Sequence, residues 1–170
     1  MRMNLVLSIL MIPALATAAV PPAFPPLKAE NLNGVIMNMP SEFEGEVNLL
    51  LIAFLQKQQA DVDTWLKPLP AIAKAHPNLR YYELPTIKGM NRMVRWFINN
   101  GMRGGIPDKE QRARTITLYI DKEQFKKSLG LGSEDQIYAV LIDKSGKVIW
   151  NEAGLDSETK GKSLEAALAR

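Results

Sequence analysis

Few side chains in this 170-residue chain combine the type and the spacing that chemistry needs, and no thiol is among them, because the sequence has no cysteine. Disulfides, thiolate metal sites, iron–sulfur clusters and thiol catalysis are therefore outside its reach. The single histidine, His76, stands beside Pro77 just after a helical stretch and reads as a helix C-terminal residue rather than a base. Met37-Asn38-Met39 puts two thioethers on one face of a strand, a pattern that suits Cu(I). Two methionines without a histidine or cysteine are nevertheless read as packing. Asp61 and Asp63 form an acidic pair, of which at least one is explained as a helix N-cap. No metal or cofactor is expected.

The strongest charge pattern lies between Lys88 and Arg114, where Lys88, Arg92, Arg95, Arg103, Lys109, Arg112 and Arg114 face only Asp108 and Glu110. The whole chain carries 21 basic and 18 acidic side chains, a net charge of +3, so the remainder is slightly acidic. Within this stretch Met90, Met93, Val94, Phe97 and Ile98 fall on one helical face, away from Arg92 and Arg95. Such a helix grips a hydrophobic partner or lies on an anionic membrane surface. The competing arrangement, common in globular domains, buries the Met/Phe stripe and leaves the arginines solvated. Arg92, Arg95, Trp96, Arg103 and Arg112 are the candidate partner-binding residues, for a protein client that includes membrane proteins, with membrane-surface contact alongside. Nucleic acid is not expected, since +3 falls far short of a dense basic stripe with interleaved aromatics. Trp65 and Trp150 read as core or groove aromatics.

The elements that must position these residues follow from hydrophobic patterning. Residues 1–18 read as a secretory signal: Arg2, an apolar run from Leu5 to Leu15, then Ala16-Thr17-Ala18 as the cleavage pattern. The run is short for a membrane span and contains Pro13. A periplasmic or secreted location follows. Residues 19–31, with four prolines between Val20 and Pro26, are expected to form an extended leader ahead of the fold. The domain is assigned to residues 32–170. Val35 to Met39 is a short strand. Val47 to Phe54 is an almost unbroken apolar run, as in a central strand buried on both faces. From Asp61, with an aspartate available as N-cap, Val62, Trp65, Leu66, Leu69 and Ile72 keep helical spacing, with Pro68 and Pro70 kinking the helix. Leu79 to Leu84 is a second strand, stopped by Pro85. The basic amphipathic helix ends at Asn99-Asn100-Gly101, and Gly104 to Asp108 is a loop. Thr115 to Ile120 is a third strand, and Lys122 to Leu129 a helix closed by Gly130. Ile137–Ile142 and Lys147–Trp150 around an Asp/Gly turn form an antiparallel hairpin. Ser157 caps a last helix with Leu164, Ala167 and Leu168 buried. This alternation predicts an α/β mixed sheet between helix layers.

In this order of elements the chain resembles the thioredoxin-like superfamily: a buried strand, a proline-kinked helix, a second strand, and an Ile142-Asp143-Lys144-Ser145-Gly146-Lys147-Val148 hairpin before a C-terminal helix. The resemblance implies a three-layer sandwich with a C-terminal hairpin and helix. It also implies a Cys-x-x-Cys at the start of the kinked helix. Counting from Pro68, those positions fall at Ala60 and Asp63, and the proline usual before the hairpin is replaced by Gln136 and Ile137. From Leu49 to Leu164 the chain is also similar to the mitochondrial ATP synthase assembly-factor family, which helps incorporate the membrane proton-channel subunit. The matching pieces are Trp65-Leu66-Lys67-Pro68, the basic segment to Ile106-Pro107 with Arg112, Leu129-Gly130-Leu131, and Tyr138 to Asp143 through Val148-Ile149-Trp150 to Gly154. At the front a secretory signal stands where that family carries a transit peptide. This resemblance implies a noncatalytic assembly-factor or chaperone-like binding module near a membrane. The alternative is an enzyme or electron-transfer protein using a cofactor that the sequence does not advertise.

Overall fold

The computed structural model describes residues 20–170, so the expected signal at residues 1–18 lies outside the described residues. Its centre is β3 (Val47–Ala53), which runs parallel to β4 (Leu79–Lys88) and antiparallel to β6 (Tyr138–Asp143). The mixed sheet is completed by β5 (Leu118–Ile120) and β7 (Val148–Ala153), in the order β5-β4-β3-β6-β7. Because successive side chains of a strand face opposite ways, β3 needs cover on both sides. Leu49 and Leu51 pack with Val62 and Trp65 of α1 (Gln59–Leu66), Leu69 of α2 (Leu69–Ala75) and Leu164 of α6 (Glu158–Leu168). Leu50 and Ile52 pack on the other face with Phe43, Tyr82, and Phe125 and Leu129 of α5 (Lys122–Leu129). This is the three-layer α/β sandwich expected from the sequence.

The caps and turns follow from local chemistry. Asp143 Oδ1 accepts from the N–H groups of Ser145 and Lys147 at 2.9 and 3.0 Å, and Gly146 takes φ 89° to complete the turn of the β6–β7 hairpin. A side chain at Gly146 would also meet Pro40, whose Cγ lies 2.8 Å from an ideal Cβ. Asp121 receives the N–H groups of Glu123 and Gln124 to start α5, and Ser157 receives that of Lys160 to start α6.

Several expectations are corrected. The proline-rich segment is extended but belongs to the fold. Phe24 is 3% exposed and meets Phe43 and Phe125 edge-to-face, with centroids 5.6 Å apart in each pair. Residues Leu27–Glu30 form β1, antiparallel to β2 (Ile36–Met39). Asp61 is not the N-cap of α1; Gln58 precedes the helix and Asp61 sits in its first turn. The prolines divide one expected helix into α1 and α2, with Pro68 at the N-cap of the second. Pro85 does not stop β4. Its missing N–H would face β5, and the ladder breaks there instead: the bridge Glu83↔Thr115 stands apart from the pairs Thr86↔Leu118 to Lys88↔Ile120. The amphipathic helix, α3 (Arg92–Gly105), continues through Asn99-Asn100-Gly101, and a short α4 (Lys109–Arg114) follows where no helix was expected. Met39 is buried and Met37 packs against the same cluster, so Met37-Asn38-Met39 is a packing motif in β2.

If Phe24 anchors the proline-rich segment, Phe24→Ala removes a buried ring and lowers unfolding free energy by about 3–4 kcal/mol. Urea unfolding followed by circular dichroism measures this; a loss near zero would return the segment to the status of a leader.

Candidate functional site

Three places bear on function: the corner between β3 and α1, a buried carboxyl beside it, and the surface built around α3. At the corner the chain leaves β3 through Phe54 and Leu55 and makes one 3-10 turn, Gln56–Gln58, before α1. Gln58 is buried. Its Oε1 accepts from the N–H groups of Phe54 at 2.8 Å and Leu55 at 3.1 Å, and its Nε2 donates to Glu134 O at 2.7 Å. Thus the position just ahead of the helix, where an attacking thiolate would gain most from the helix N-terminus, holds an amide spent on backbone groups. Ala60 and Asp63, the positions counted from Pro68, lie further along α1, both exposed. Nothing but its place in the fold separates Gln58 from its neighbours Gln56 and Gln59, so residue type alone gave no signal.

Gln59 Nε2 donates to Asp63 Oδ1 at 3.1 Å and, weakly, to Glu83 Oε2 at 3.5 Å; Gln111 of α4 reaches Glu83 Oε1 at 3.4 Å. Glu83 is 5% exposed, on the face of β4 that α1 covers. Burial pushes its carboxyl above the ordinary glutamate value, the two glutamines and Arg114 pulling the other way and Asp63 reinforcing the rise. Arg114 lies 4.8 Å from the centre of the Tyr81 ring, and its Nε is buried without a partner among the described residues. Sequence reading missed Glu83, since an acid within Tyr81-Tyr82-Glu83-Leu84 looks like an exposed strand position.

Around α3 the amphipathic pattern is present and its direction is inverted. Arg95, Asn99, Met102 and Arg103 fall on the arc that meets the body of the protein. The Arg95 guanidinium sits 5.0 Å from the Tyr119 ring centre and Nε donates to Met90 O, while Tyr119 Oη donates to Asn99 Oδ1 at 2.8 Å. Arg103 Nε donates to Leu32 O at 2.7 Å, and Thr117 Oγ1 contacts Met102 Sδ at 3.7 Å. The opposite arc carries Met93, Val94 and Phe97, with Trp96 at its edge; Met93, Trp96 and Phe97 are 71%, 60% and 63% exposed. The apolar stripe is therefore not core, and Arg95 and Arg103, though exposed, bond toward the body of the protein. Arg112, on α4, is likewise committed, donating to Asn33 Oδ1, Ile106 O and Pro107 O. Of the five candidates, Arg92 and Trp96 are exposed without an internal hydrogen bond among the described residues.

Under the polar arc runs a groove of about 930 Å³ between β1 and β5, bordered by Lys28, Glu30, Arg92, Trp96, Asn100 and Tyr119. Among the described residues β5 is the edge of its sheet, and β1 pairs only with β2. The bonds Ile116 N–H to Glu83 O and Gly89 N–H to Ile120 O turn residues 116, 118 and 120 toward β4. By alternation the peptide groups of Thr117 and Tyr119 face the groove. On β1, Asn31 N–H bonds Val35 O, which by the same alternation turns Lys28 and Glu30 toward it. The two strands touch at the bridge Asn31↔Ile116 and diverge beyond it.

No sequence-family profile and no curated protein matches the chain. Solved structures do. The exposed lipoprotein thioredoxin of Streptococcus pneumoniae is 17% identical, with TM-score 0.54 over 86% of this chain and 100% of that one. The thioredoxin domain of a thiol-disulfide oxidoreductase from Bacteroides vulgatus is 15% identical, with TM-score 0.51 over 91% and 99%. BsSco, a member of the Sco family of cytochrome c oxidase assembly proteins, is 14% identical, with TM-score 0.53 over 88% and 95%. The likeness is one of fold: this is a thioredoxin-like architecture without cysteine. No helix among the described residues is long and apolar enough to cross a membrane.

The raised Glu83 carboxyl fixes a pH dependence. Below the ordinary carboxylate range, folded and unfolded chains both hold the proton and the burial cost is absent. As pH climbs from that range through the raised folded value, the unfolded chain ionises first and stability falls. Glu83→Gln abolishes this loss, so its melting temperature gains on that of the parent as pH rises above the ordinary carboxylate range. Melting temperatures that run parallel over that rise would refute the assignment.

Proposed function

We propose that the thioredoxin-like domain serves as a noncatalytic binding module, an exported assembly factor or chaperone-like protein that holds an extended segment of a client protein near a membrane. The observation that carries this reading is the groove beneath α3, which lies between two strand edges with unpaired peptide groups. An open edge is a template for another strand, and main-chain pairing there supplies affinity that depends little on the client's sequence. Lys28 and Arg92 against Glu30 leave the mouth with a basic excess, which favours a client segment carrying acidic side chains.

Two further features support it. Thiol exchange is out of reach of a chain without cysteine, and Gln58 is committed to Phe54, Leu55 and Glu134 at the corner that thiol enzymes of this fold use. The ordered resemblance from Leu49 to Leu164 to the ATP synthase assembly-factor family, and the fold shared with a cytochrome c oxidase assembly protein, favour assembly work on membrane complexes. Export rests on the signal pattern in residues 1–18.

The test is photocrosslinking in intact cells, with a photoreactive amino acid at Lys28 in the groove or at Glu158 on the far side of the domain. The expected result is one membrane-protein adduct specific to Lys28, competed by an excess of a soluble peptide copied from the crosslinked client segment. Identical adducts from both positions, or none from Lys28, would dismiss the groove as the working surface.

A further inference from the structure

We propose that the outward arc of α3 rests in the headgroup layer of an anionic lipid bilayer and holds the domain there with the groove beside the membrane surface. The inference rests on the reading of the α3 region as the working part of the molecule and names what covers its apolar side.

The helix has fourteen residues, none of them buried and none acidic, and it carries Arg92, Arg95 and Arg103. An exposed helix of ordinary globular design presents charge to water; this one presents Met93, Val94 and Phe97. Trp96 and Phe97 meet edge-to-face, centroids 5.1 Å apart, so the two rings form one apolar knob. Beyond them, Gly101, Gly104 and Gly105 have open space where a Cβ would lie, and the surface continues as bare backbone without a pocket wall. The face is therefore convex. A convex apolar ridge with Lys88 and Arg92 at its start matches the boundary between headgroups and acyl chains, where the rings are buried and those two cations stay at phosphate depth.

Charge complementarity selects the kind of lipid. Lys88 and Arg92 stand exposed at the start of the helix, and no acidic side chain lies on the helix itself. An anionic surface is attractive to such a segment, whereas a zwitterionic surface offers only the apolar contact. Because the polar arc of α3 is bonded to β5 and to Leu32, the helix is already formed and oriented before it meets lipid.

The protein is tested in sedimentation with phosphatidylcholine vesicles, with and without phosphatidylglycerol, reading Trp emission in the same samples. Trp96 is exposed, while Trp65 is buried and Trp150 half-buried, so a blue shift reports mainly on α3. The expected result is binding that requires phosphatidylglycerol, weakens with salt, and falls about tenfold in Phe97→Asp. Trp96→Phe retains the binding and loses most of the shift. Phe97→Asp binding as the parent does would overturn the proposal, because another segment, such as the apolar residues near the N-terminus, would then be responsible. Absence of binding, or equal binding to both vesicle types, would overturn it too. If vesicles fail while crosslinking from Lys28 still finds a membrane protein, α3 contacts protein rather than lipid and the client reading stands. If vesicles succeed and crosslinking fails, the anchor stands without the client.

Discussion

The whole molecule depends on β3 being apolar on both faces. Leu49 and Leu51 point one way, Leu50 and Ile52 the other, and none of the four tolerates water. Each face must recruit its own layer, and each layer draws on both halves of the chain. Helices α1, α2 and α6 close one side; α5 and the Phe24–Phe43 cluster close the other. Packing Phe24 from the proline-rich segment is how the second side is completed, since α5 alone offers only Phe125 and Leu129. That demand also explains the N-terminal hairpin: β1 and β2 follow from where Phe24 and Met39 have to be.

At the strand–helix corner the buried side chain is spent on backbone groups. Gln58 satisfies two backbone donors and one acceptor that would otherwise be orphaned in a buried turn. The groove lies at the far edge of the sheet. There β5 is three residues long, β1 diverges from it, and the connection between β4 and β5 is expanded into α3 and α4.

Much of this was legible in the sequence where local chemistry and burial agree. The β6–β7 hairpin announces itself through Asp143 and Gly146, α5 through Asp121 and Gly130, α6 through Ser157, and β3 through its unbroken apolar run. The misses share a cause, which is tertiary context overriding a local signal. Pro85 reads as a stop, yet it lies where β4 meets an imperfect edge that can spare one hydrogen bond. Asn99-Asn100-Gly101 reads as a helix end, yet Asn99 is held by Tyr119 from twenty residues away and the helix continues. Four prolines read as a leader because nothing local shows that one phenylalanine among them fills a cavity formed by residues 43 and 125. Glu83 was invisible because its partners, Gln59 and Gln111, lie on different helices.

The direction of α3 is the choice that the sequence left open. Periodicity gives the axis of an amphipathic helix but not its sign: the pattern Met93, Val94, Phe97 is the same whether that side meets a core or something outside. Convention assigns it inward because apolar burial is the largest favourable term in folding. The convention fails here because the body under α3 is itself polar at the contact. Tyr119 offers a ring face and a hydroxyl and Leu32 a carbonyl, which suit Arg95, Asn99 and Arg103 better than they suit leucines, and Thr117 offers a hydroxyl to Met102 Sδ. Turning the helix over would bury Met93 and Phe97 against those groups and strand their hydrogen bonds, at a cost of about 1–3 kcal/mol for each one lost. The polar lining thus determines which side of α3 faces out, and the apolar side is left to whatever the protein meets.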